Sequence, residues 1–306
     1  MVHDVSAGPT LSIIVIPLVG HDALANCLDR LPLTTIECIV VLREGMGAVG
    51  SWEERYPWVT FVSAVHQPVP LRRHCGVRFA TGEVVGLIED TSWPDEGWCT
   101  AARSVFADPK TAAAGGPVRI AAELPNRYRA LGSSEYAAFL KDRHSRATNP
   151  SLQEEIPRLP GNNMAFRRAD LIDALGDDSS GLFEGRVCTK LLAKERRIVY
   201  HPQMSVTYAV CDRHNAALAT RLHHGRIYAA ARVQGRPWIS RLAQLAKTPL
   251  LPIVLTARAL GALRSFGGLR AKLTILFWLS LMESAWALGE AVGALTGAGD
   301  SVNEWR

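Results

Sequence analysis

The sequence lacks closely spaced cysteines. Its six cysteines are scattered and none belongs to a Cys-x-x-Cys pair, which argues against a structural zinc site or a disulfide framework and favours a reducing compartment. The first ten residues lack the basic start and apolar core of a secretory signal peptide, so we expect no export by that route. With 306 residues, 48% of them hydrophobic, the composition is that of a globular protein with a sizeable core.

Two common catalytic motifs are also missing. There is no Gly-x-x-x-x-Gly-Lys-Ser/Thr phosphate loop and no His-Glu-x-x-His pair, which weakens an assignment as a P-loop NTPase or a zinc protease.

Asp and Glu are absent from one long stretch. Between Arg213 and Lys272 there are eleven Lys and Arg residues and no acidic residue, although the net charge of the whole chain is only +5. Such a block favours a partner of opposite charge, either nucleic acid or an anionic membrane surface. Long apolar runs inside and after the block favour the membrane and count against a nucleic-acid-binding module.

Two apolar segments provide those runs. Residues 250–263 are apolar except for Arg258 and are expected to lie in the membrane interface. Residues 273–295 match the ~20 apolar residues that cross a hydrocarbon core, and the basic block would then keep the preceding domain cytoplasmic. Glu283 and Glu290 are costly in a bilayer, so we expect each to pair with a neighbouring basic residue, Arg258 being nearest, or to face another subunit. A hairpin dipping into one leaflet and ordinary core helices remain alternatives.

Strands and helices alternate over the first two hundred residues. The predicted strands are 11–18, 36–42, 59–65, 83–90, 111–120 and 197–202, and the predicted helices are 21–31, 70–82, 96–108, 127–145, 168–175 and 184–195. This order predicts an α/β domain with an open, mostly parallel sheet and helices on both faces. Ligands of such sheets bind at the carboxyl ends of the strands. Residues 147–161 are loop-like and long enough for an active-site segment.

Charged and polar clusters lie where this sheet would place chemistry. Glu89 and Asp90 end an apolar strand and could hold a divalent cation against a diphosphate; a turn with a helix-capping Asp is the alternative. Arg73, on the preceding helix, could meet phosphates or order these carboxylates, or belong to a solvated face. Glu184 begins a helix, where the helix dipole favours an acid, and could also act as a general base. Asn162, with Asn163 beside it, suits sugar hydroxyls or an Asn-rich turn.

Taken in order, these motifs resemble glycosyltransferase family 2, the inverting enzymes of the GT-A fold. The matching segments are Ile16-Pro17, Arg73-His74-Cys75-Gly76 with Ala80-Thr81-Gly82, Glu89-Asp90-Thr91 with Pro94 and Trp98, Gly115-Gly116-Pro117-Val118, Gly161-Asn162-Asn163 with Arg167-Arg168, and Glu184. The resemblance covers roughly residues 10–210, and the ordered set is more specific than any one motif.

The resemblance implies a role for each matched residue. Glu184 would be the catalytic base, and Glu89 and Asp90 would hold Mg²⁺ or Mn²⁺. Residues expected to bind the nucleotide sugar are Pro17, Glu44, Arg73, Gly76, Glu89 and Asp90. Residues expected on the acceptor or sugar side are Gly116, Asn162, Asn163 and Arg168. The expected partners are a nucleotide-diphosphate sugar, a lipid-linked or membrane glycan acceptor and an anionic membrane surface, with no nucleic acid; a homo-oligomer is left open.

Three departures from the family pattern bear on activity. The acidic pair after the second strand is replaced by Leu42-Arg43-Glu44-Gly45, Thr91 stands where a third acid is usual, and the base motif keeps the single acid Glu184. We interpret the chain as resembling the membrane-associated subset of the family. A membrane-recruited nucleotide-sugar-binding protein that has lost catalysis is the alternative.

The predicted organisation follows from these segments. Residues 1–9 form a tail, 10–212 a GT-A domain, 213–247 a basic amphipathic interface helix, 248–298 membrane-associated helices and 299–306 a second tail. The protein is expected to be membrane-associated, with its catalytic domain in the cytoplasm.

Overall fold

The computed structural model describes residues 8–47, 49–64, 66–140, 154–177, 179–209 and 216–304. Its strands are β1 (Leu11–Ile16), β2 (Glu37–Leu42), β3 (Val59–Ser63), β4 (Val84–Glu89), β5 (Ser92–Pro94), β6 (Thr111–Gly115), β7 (Val118–Ile120), β8 (Glu154–Glu155), β9 (Asn163–Arg167), β10 (Arg197–Tyr200) and β11 (Val206–Tyr208). Its helices are α1 (His21–Leu28), α2 (Val49–Arg55), α3 (Val69–Phe79), α4 (Trp98–Phe106), α5 (Asn126–Glu135), α6 (Arg168–Leu175), α7 (Glu184–Ala193), α8 (Ala217–Val233), α9 (Trp238–Lys247), α10 (Leu251–Ala259) and α11 (Leu269–Thr296). Residues 147–153 of the loop predicted at 147–161 lie outside the described residues.

The chain divides into two compact units. The first comprises residues 1–119 and 146–210, and the second comprises residues 120–145 and 211–306. The sequence analysis placed α5 in the first domain, whereas α5 packs against α11 in the second unit. α11 lies more than a hundred residues beyond α5 in the chain, so the local sequence pattern of α5 could not indicate that the two helices pack together.

An eight-stranded sheet forms the core of the first unit, in the order β3-β2-β1-β4-β9-β6-β10-β8. β1 pairs in parallel with β2 and β4, β2 with β3, and β6 with β10. β1 and β4 are buried along their whole length, as expected for strands covered on both faces. The predicted α/β fold with a mostly parallel sheet is therefore confirmed.

β9 runs antiparallel between β4 and β6 and was not predicted as part of this arrangement. Asn163, its first residue, lies opposite Ile88 near the end of β4, whereas Arg167 lies opposite Val84 at the start of β4. The segment before β9 therefore reaches the same edge as the carboxyl ends of β1, β2, β4 and β6. This carboxyl edge is where ligands of open α/β sheets bind.

The single strand predicted at 111–120 is split in two at Gly116. A Cβ atom there would lie 2.3 Å from the carbonyl oxygen of Met204 and 2.5 Å from that of His201. The chain turns at this crowded point, so β6 stays in the main sheet while β7 joins a three-stranded sheet in the order β5-β11-β7.

Glycines set the close contact of α8 and α11 in the second unit. A Cβ atom at Gly225 would lie 2.3 Å from the carbonyl oxygen of Trp286, and one at Gly289 would lie 2.0 Å from that of Leu222. α11 is the one helix within the described residues that is long and apolar enough to cross a membrane.

Two buried glutamates on α11 have partners on other helices of this unit. Glu283 accepts hydrogen bonds from Arg221 Nη2 on α8 at 3.2 Å and from Ser134 Oγ on α5 at 2.5 Å. Glu290 forms a two-pronged pair with Arg232 of α8, at 2.8 and 2.9 Å. The pairing with a neighbouring basic residue is as expected, but the choice of Arg258 was wrong, because the close contact is made by α8.

Candidate active site

A buried guanidinium joins two carboxylates at the carboxyl edge. Arg73 Nη2 lies 2.7 Å from Glu89 Oε1, and Arg73 Nη1 lies 3.1 Å from Glu184 Oε2. Arg73 Nη2 also donates to the carbonyl oxygen of Gly161 at 2.9 Å. The Arg73 side chain is only 1% exposed, so this charge is held by three acceptors from three different segments.

Local backbone geometry brings Glu184 to Arg73. Leu182 N donates to the carbonyl oxygen of Pro70, in the first turn of α3, at 2.8 Å. Gly181 permits this approach because it has φ of +90° and because a Cβ atom there would lie 2.5 Å from the Pro70 carbonyl carbon. α7 then begins at Glu184, as predicted, and the same helix N-terminus favours its negative charge.

Asp90 has partners different from those predicted. Its Oδ1 accepts from Leu18 N at 2.7 Å and Val19 N at 3.3 Å, and its Oδ2 accepts from Val19 N at 3.1 Å and Gly20 N at 3.4 Å. Burial raises the pKa of Asp90 to about 6, although these backbone donors act to lower it. Asp90 therefore fixes the loop that follows β1.

Two arginines hold the carbonyl groups of the same loop. Arg72 Nη1 donates to the Pro17 carbonyl oxygen at 2.7 Å, and Arg43 Nη2 donates to the Val19 carbonyl oxygen at 3.1 Å. Burial lowers the pKa of Arg72 to about 10. Neither arginine was among the predicted site residues, although Arg72 stands beside Arg73 in the sequence. Pro17, predicted to bind the nucleotide, is buried and takes part through its carbonyl group.

Glu89 and Asp90, the predicted cation ligands, have protein partners in this structure. Both oxygens of Asp90 accept backbone N–H groups, and Glu89 is paired with Arg73. Among the residues that the structure describes, no three His, Cys, Asp or Glu side chains are grouped so as to hold a metal ion. The charges of Glu89 and Asp90 are met by protein donors in this structure, and their assignment as metal ligands stays a prediction.

The two adjacent asparagines have different surroundings. Asn163 Oδ1 accepts from Trp98 Nε1 at 2.8 Å, and Asn163 Nδ2 donates to the Met204 carbonyl oxygen at 2.7 Å, so Asn163 ties β9 to its neighbours. Asn162 Nδ2 donates to Ser92 Oγ at 2.7 Å. Its buried Oδ1, like the buried Thr91 Oγ1, makes no hydrogen bond with any described residue. These two oxygens could accept ligand hydroxyl groups.

Two predicted site glycines serve packing. A Cβ atom at Gly76 would lie 2.5 Å from Ile14 Cγ2, so this residue lets α3 lie close to β1. Gly116 has the crowded backbone described above. Contact of either glycine with a ligand stays a prediction.

Two other predicted residues lie apart from the cluster. Glu44 follows β2 at the carboxyl edge, is exposed, and pairs with His66 at 3.1 Å. Arg168 begins α6 beyond the far end of β9, at the opposite edge of the sheet from Asp90. The antiparallel direction of β9 carries Arg168 away, so the structure does not place it with the acceptor-side residues.

A Gly-x-Gly-x-x-Gly run at residues 45–50 also follows β2 at this edge. Gly45 and Gly47 have φ of +80° and +77°, which explains the glycines as turn residues. α2, which follows, has only seven residues. In the sequence, only the spacing of the three glycines could have indicated a turn of this kind.

Comparisons with known proteins are consistent with this geometry. No model of a protein family and no curated protein sequence matches the chain. Among solved structures, the mannosyltransferase PcManGT from Pyrobaculum calidifontis, in complex with GDP-Man and Mn²⁺, is similar with a TM-score of 0.55 and 20% identity, over 95% of this chain and 88% of that one. GalNAc-T7 with UDP, GalNAc and Mn²⁺ is similar with a TM-score of 0.51 and 11% identity, over 68% of this chain and 45% of that one. The chain therefore has the GT-A fold of these glycosyltransferases.

Proposed function

We propose that the protein is a glycosyltransferase that moves a sugar from a nucleotide-diphosphate sugar to an acceptor hydroxyl. The observation that carries this proposal is the Glu184 carboxylate, held by buried Arg73 at the carboxyl edge of a GT-A sheet. GDP-Man in one structural neighbour, and UDP with GalNAc in the other, support the class of donor. They leave open whether the sugar is a hexose or an N-acetylhexosamine.

Glu184 is the general base in the proposed reaction. It accepts the proton of the acceptor hydroxyl while that oxygen bonds to the anomeric carbon of the donor sugar. The bond between this carbon and the phosphate oxygen breaks, and the nucleoside diphosphate leaves. One displacement inverts the anomeric configuration. Arg73 fixes the orientation of Glu184, so part of the rate would come from alignment of the reacting groups.

The charge balance of the site favours positive charge arriving with the donor. Arg43, Arg72 and Arg73 balance Glu89, Asp90 and Glu184, so these six ionised side chains carry no net charge before a negatively charged diphosphate is added. Mn²⁺ in both structural neighbours supports a divalent cation, with Mg²⁺ and Mn²⁺ not distinguished. Because these carboxylates are already engaged, we assign no step to a cation held by the pair of them.

The second unit supports a membrane setting for this reaction. It contains the helix that is long and apolar enough to span a bilayer, and the basic block precedes that helix. We propose that the acceptor is a lipid-linked or membrane glycan and that the first unit works on the cytoplasmic face. Sedimentation of the protein with cell membranes at physiological salt, followed by detection of the protein, tests this attachment; recovery of the protein only in the supernatant would contradict it.

Replacement of Glu184 tests the assignment of the base. Glu184→Gln keeps the shape but removes the basicity, so we expect turnover to fall by about 10²–10⁴-fold while donor affinity stays within a few-fold. Nucleoside diphosphate release, with and without acceptor, is measured for a panel of nucleotide sugars. Glu195→Gln, an exposed position just beyond the same helix, is the matched control.

Near-wild-type turnover by Glu184→Gln would remove Glu184 from the mechanism. If the wild type bound a donor but transferred nothing to any acceptor, the inactive nucleotide-sugar-binding alternative would be favoured. Leu42, Arg43 and Thr91, which stand where acids are usual, are the features that suggest this alternative. The anomeric configuration of the product, measured by NMR, tests inversion independently.

A further inference from the structure

α9 has its polar face turned inward and its apolar face turned outward. Gln244, on the polar face, donates to the buried Glu290 carboxylate of α11. On the opposite face, Trp238 is 70% exposed, and Ile239 and Leu242 are also exposed. No residue of α9 is buried. A helix of a soluble protein normally shows the reverse arrangement.

The exposed apolar surface continues beyond α9. Leu250, just after α9, and Ile253, in α10, are 61% and 70% exposed. Leu269, Leu273 and Phe277 follow one another at four-residue intervals along the first half of α11 and are also exposed. Exposed apolar surface of this extent on consecutive elements indicates a surface with a partner.

A cationic cavity adjoins the polar face of α9. Its volume is about 160 Å³, and its polar lining residues are Arg232, Arg236, Ser240, Gln244 and Lys247. Arg232 is engaged by Glu290. The side chains of Arg236 and Lys247 make no hydrogen bond or ion pair with any residue that the structure describes. Two cations without partners, beside a hydroxyl and an amide, suit a phosphate group.

We infer that α9, α10 and the first half of α11 dock on an anionic phospholipid surface, with a headgroup phosphate in the cavity. The apolar side chains enter the interface, and the basic block, which contains no acidic residue, supplies the complementary charge. The inference concerns the second unit alone and does not depend on the proposed reaction.

The same contacts indicate that α11 does not cross the membrane. α8 lies against α11 through Gly225, Gly289 and Gly293, so a crossing α11 would take α8 into the hydrocarbon core. α8 carries Arg226 as well as Arg221 and Arg232, and although the last two are paired with Glu283 and Glu290, so many charged side chains are costly there. The helix that satisfies the length criterion for crossing therefore belongs to a unit that rests on one side of the bilayer.

Vesicle sedimentation with the purified full-length chain tests the docking surface. We expect binding to vesicles of phosphatidylcholine mixed with phosphatidylglycerol and much weaker binding to phosphatidylcholine alone. Arg236→Gln with Lys247→Gln should weaken binding by about 25-fold, since each cation near an anionic surface contributes about fivefold. Trp238→Ser with Ile239→Ser should weaken it at least tenfold, given about 1.5–3 kcal/mol for a buried large apolar side chain.

Matched controls use exposed residues of the first unit. Lys110→Gln with Arg158→Gln removes two cations, and Trp58→Ser removes an exposed tryptophan; both should leave vesicle binding unchanged. Equal binding to neutral and anionic vesicles, or variants of α9 that bind like the wild type, would overturn the inference.

Labelling tests the one-sided arrangement. A cysteine is introduced at Asp300, beyond α11, or at Arg55 in the first unit, and sealed membrane vesicles are treated with a maleimide that cannot cross them. Peptide mass spectrometry identifies the labelled positions. Labelling of both positions from the same side is expected. Protection of one and labelling of the other would show that α11 crosses.

Discussion

Arg73 is the residue on which the geometry of the site depends most. It is buried and donates to two carboxylates and one carbonyl group. Removal of its charge would leave Glu89 and Glu184 close together without their shared partner. We predict that Arg73→Gln lowers the free energy of unfolding by about 3–5 kcal/mol, as for other broken buried ion pairs. Urea denaturation measures the change, with exposed Arg158→Gln as the control.

The double variant with Glu184→Gln sharpens this prediction. If the two side chains interact as the distances indicate, the losses will not add, and the coupling will lie at about 0.5–3 kcal/mol. Strictly additive losses would mean that the Arg73–Glu184 contact contributes nothing.

We expect Asp90 to act on donor binding through the loop after β1, whose backbone N–H groups it accepts. We predict that Asp90→Asn weakens donor binding by the same factor with and without Mn²⁺, because the amide places N–H groups against the N–H groups of Leu18, Val19 and Gly20. Calorimetric titration of GDP-mannose and a UDP-sugar, with Mn²⁺ or with a chelator, provides the measurement. A loss seen only with Mn²⁺ would instead support Asp90 as a metal ligand.

We also expect the titration of Asp90 to make the stability of the protein depend on pH. Its pKa of about 6 in the folded state exceeds the unfolded value of about 3.9, so the folded state binds this proton more tightly. The contribution of the Asp90 proton to the free energy of unfolding is therefore complete below pH ~4 and is lost as the pH rises through about 6. We predict that the stability of the wild type relative to Asp90→Asn falls by up to about 3 kcal/mol across this window. Urea denaturation at each pH would show a constant difference if Asp90 did not titrate there.

At the scale of elements, the turn before α7 sets the position of the proposed base. We predict that Gly181→Ala destabilises the protein and lowers turnover together, because its positive φ and its contact with Pro70 both exclude a side chain. Gly185→Ala, four residues later in α7, is the matched control; its Cβ atom would meet nothing within 4 Å, and alanine favours the helix by up to about 1 kcal/mol. Thermal unfolding and a turnover assay distinguish the two variants, and equal behaviour would contradict the role of the turn.

Elements with a strong local pattern could be predicted from the sequence. β1 and β4 are continuous apolar runs, and α6 and α7 begin at the residues expected. α2 could not be predicted from the sequence, because it buries only Trp52. The break between β6 and β7 could not be predicted either, because it depends on carbonyl groups that approach Gly116 from distant residues. The place of β9 in the sheet depends on strand pairing, which its five residues do not encode.

The candidate site could also be predicted only in part from the sequence. Arg73, Glu89 and Glu184 could be named from residue type and from their order along the chain, and the structure brings them together. The partners of Asp90 could not be named, because they are backbone N–H groups that every residue carries. The contact of Arg72 could not be named either, because its partner is the backbone carbonyl group of Pro17 in the loop that Asp90 also holds.

At the scale of the whole molecule, acidic and basic side chains are distributed differently in the two units. The carboxylates at the sheet edge of the first unit are met by arginines and backbone donors, whereas the second unit contains a long segment without any acid. Glu283 and Glu290, which follow that segment, face its arginines. This distribution explains how a helix as apolar as α11 can carry two glutamates and remain packed.

The second unit is assembled from two separate stretches of the gene, and this affects how the protein can be dissected. A stop codon after residue 210 would remove α8 and α11 but leave α5 in the product. Tyr128, Ala130 and Leu131 of α5 are buried in the full-length protein and would then face solvent. Such a fragment would expose the apolar face of α5 and would aggregate because of that face, whether or not the protein binds lipid. Isolation of the first unit therefore requires an internal deletion as well as a C-terminal truncation, with a linker that joins Arg119 to Arg146.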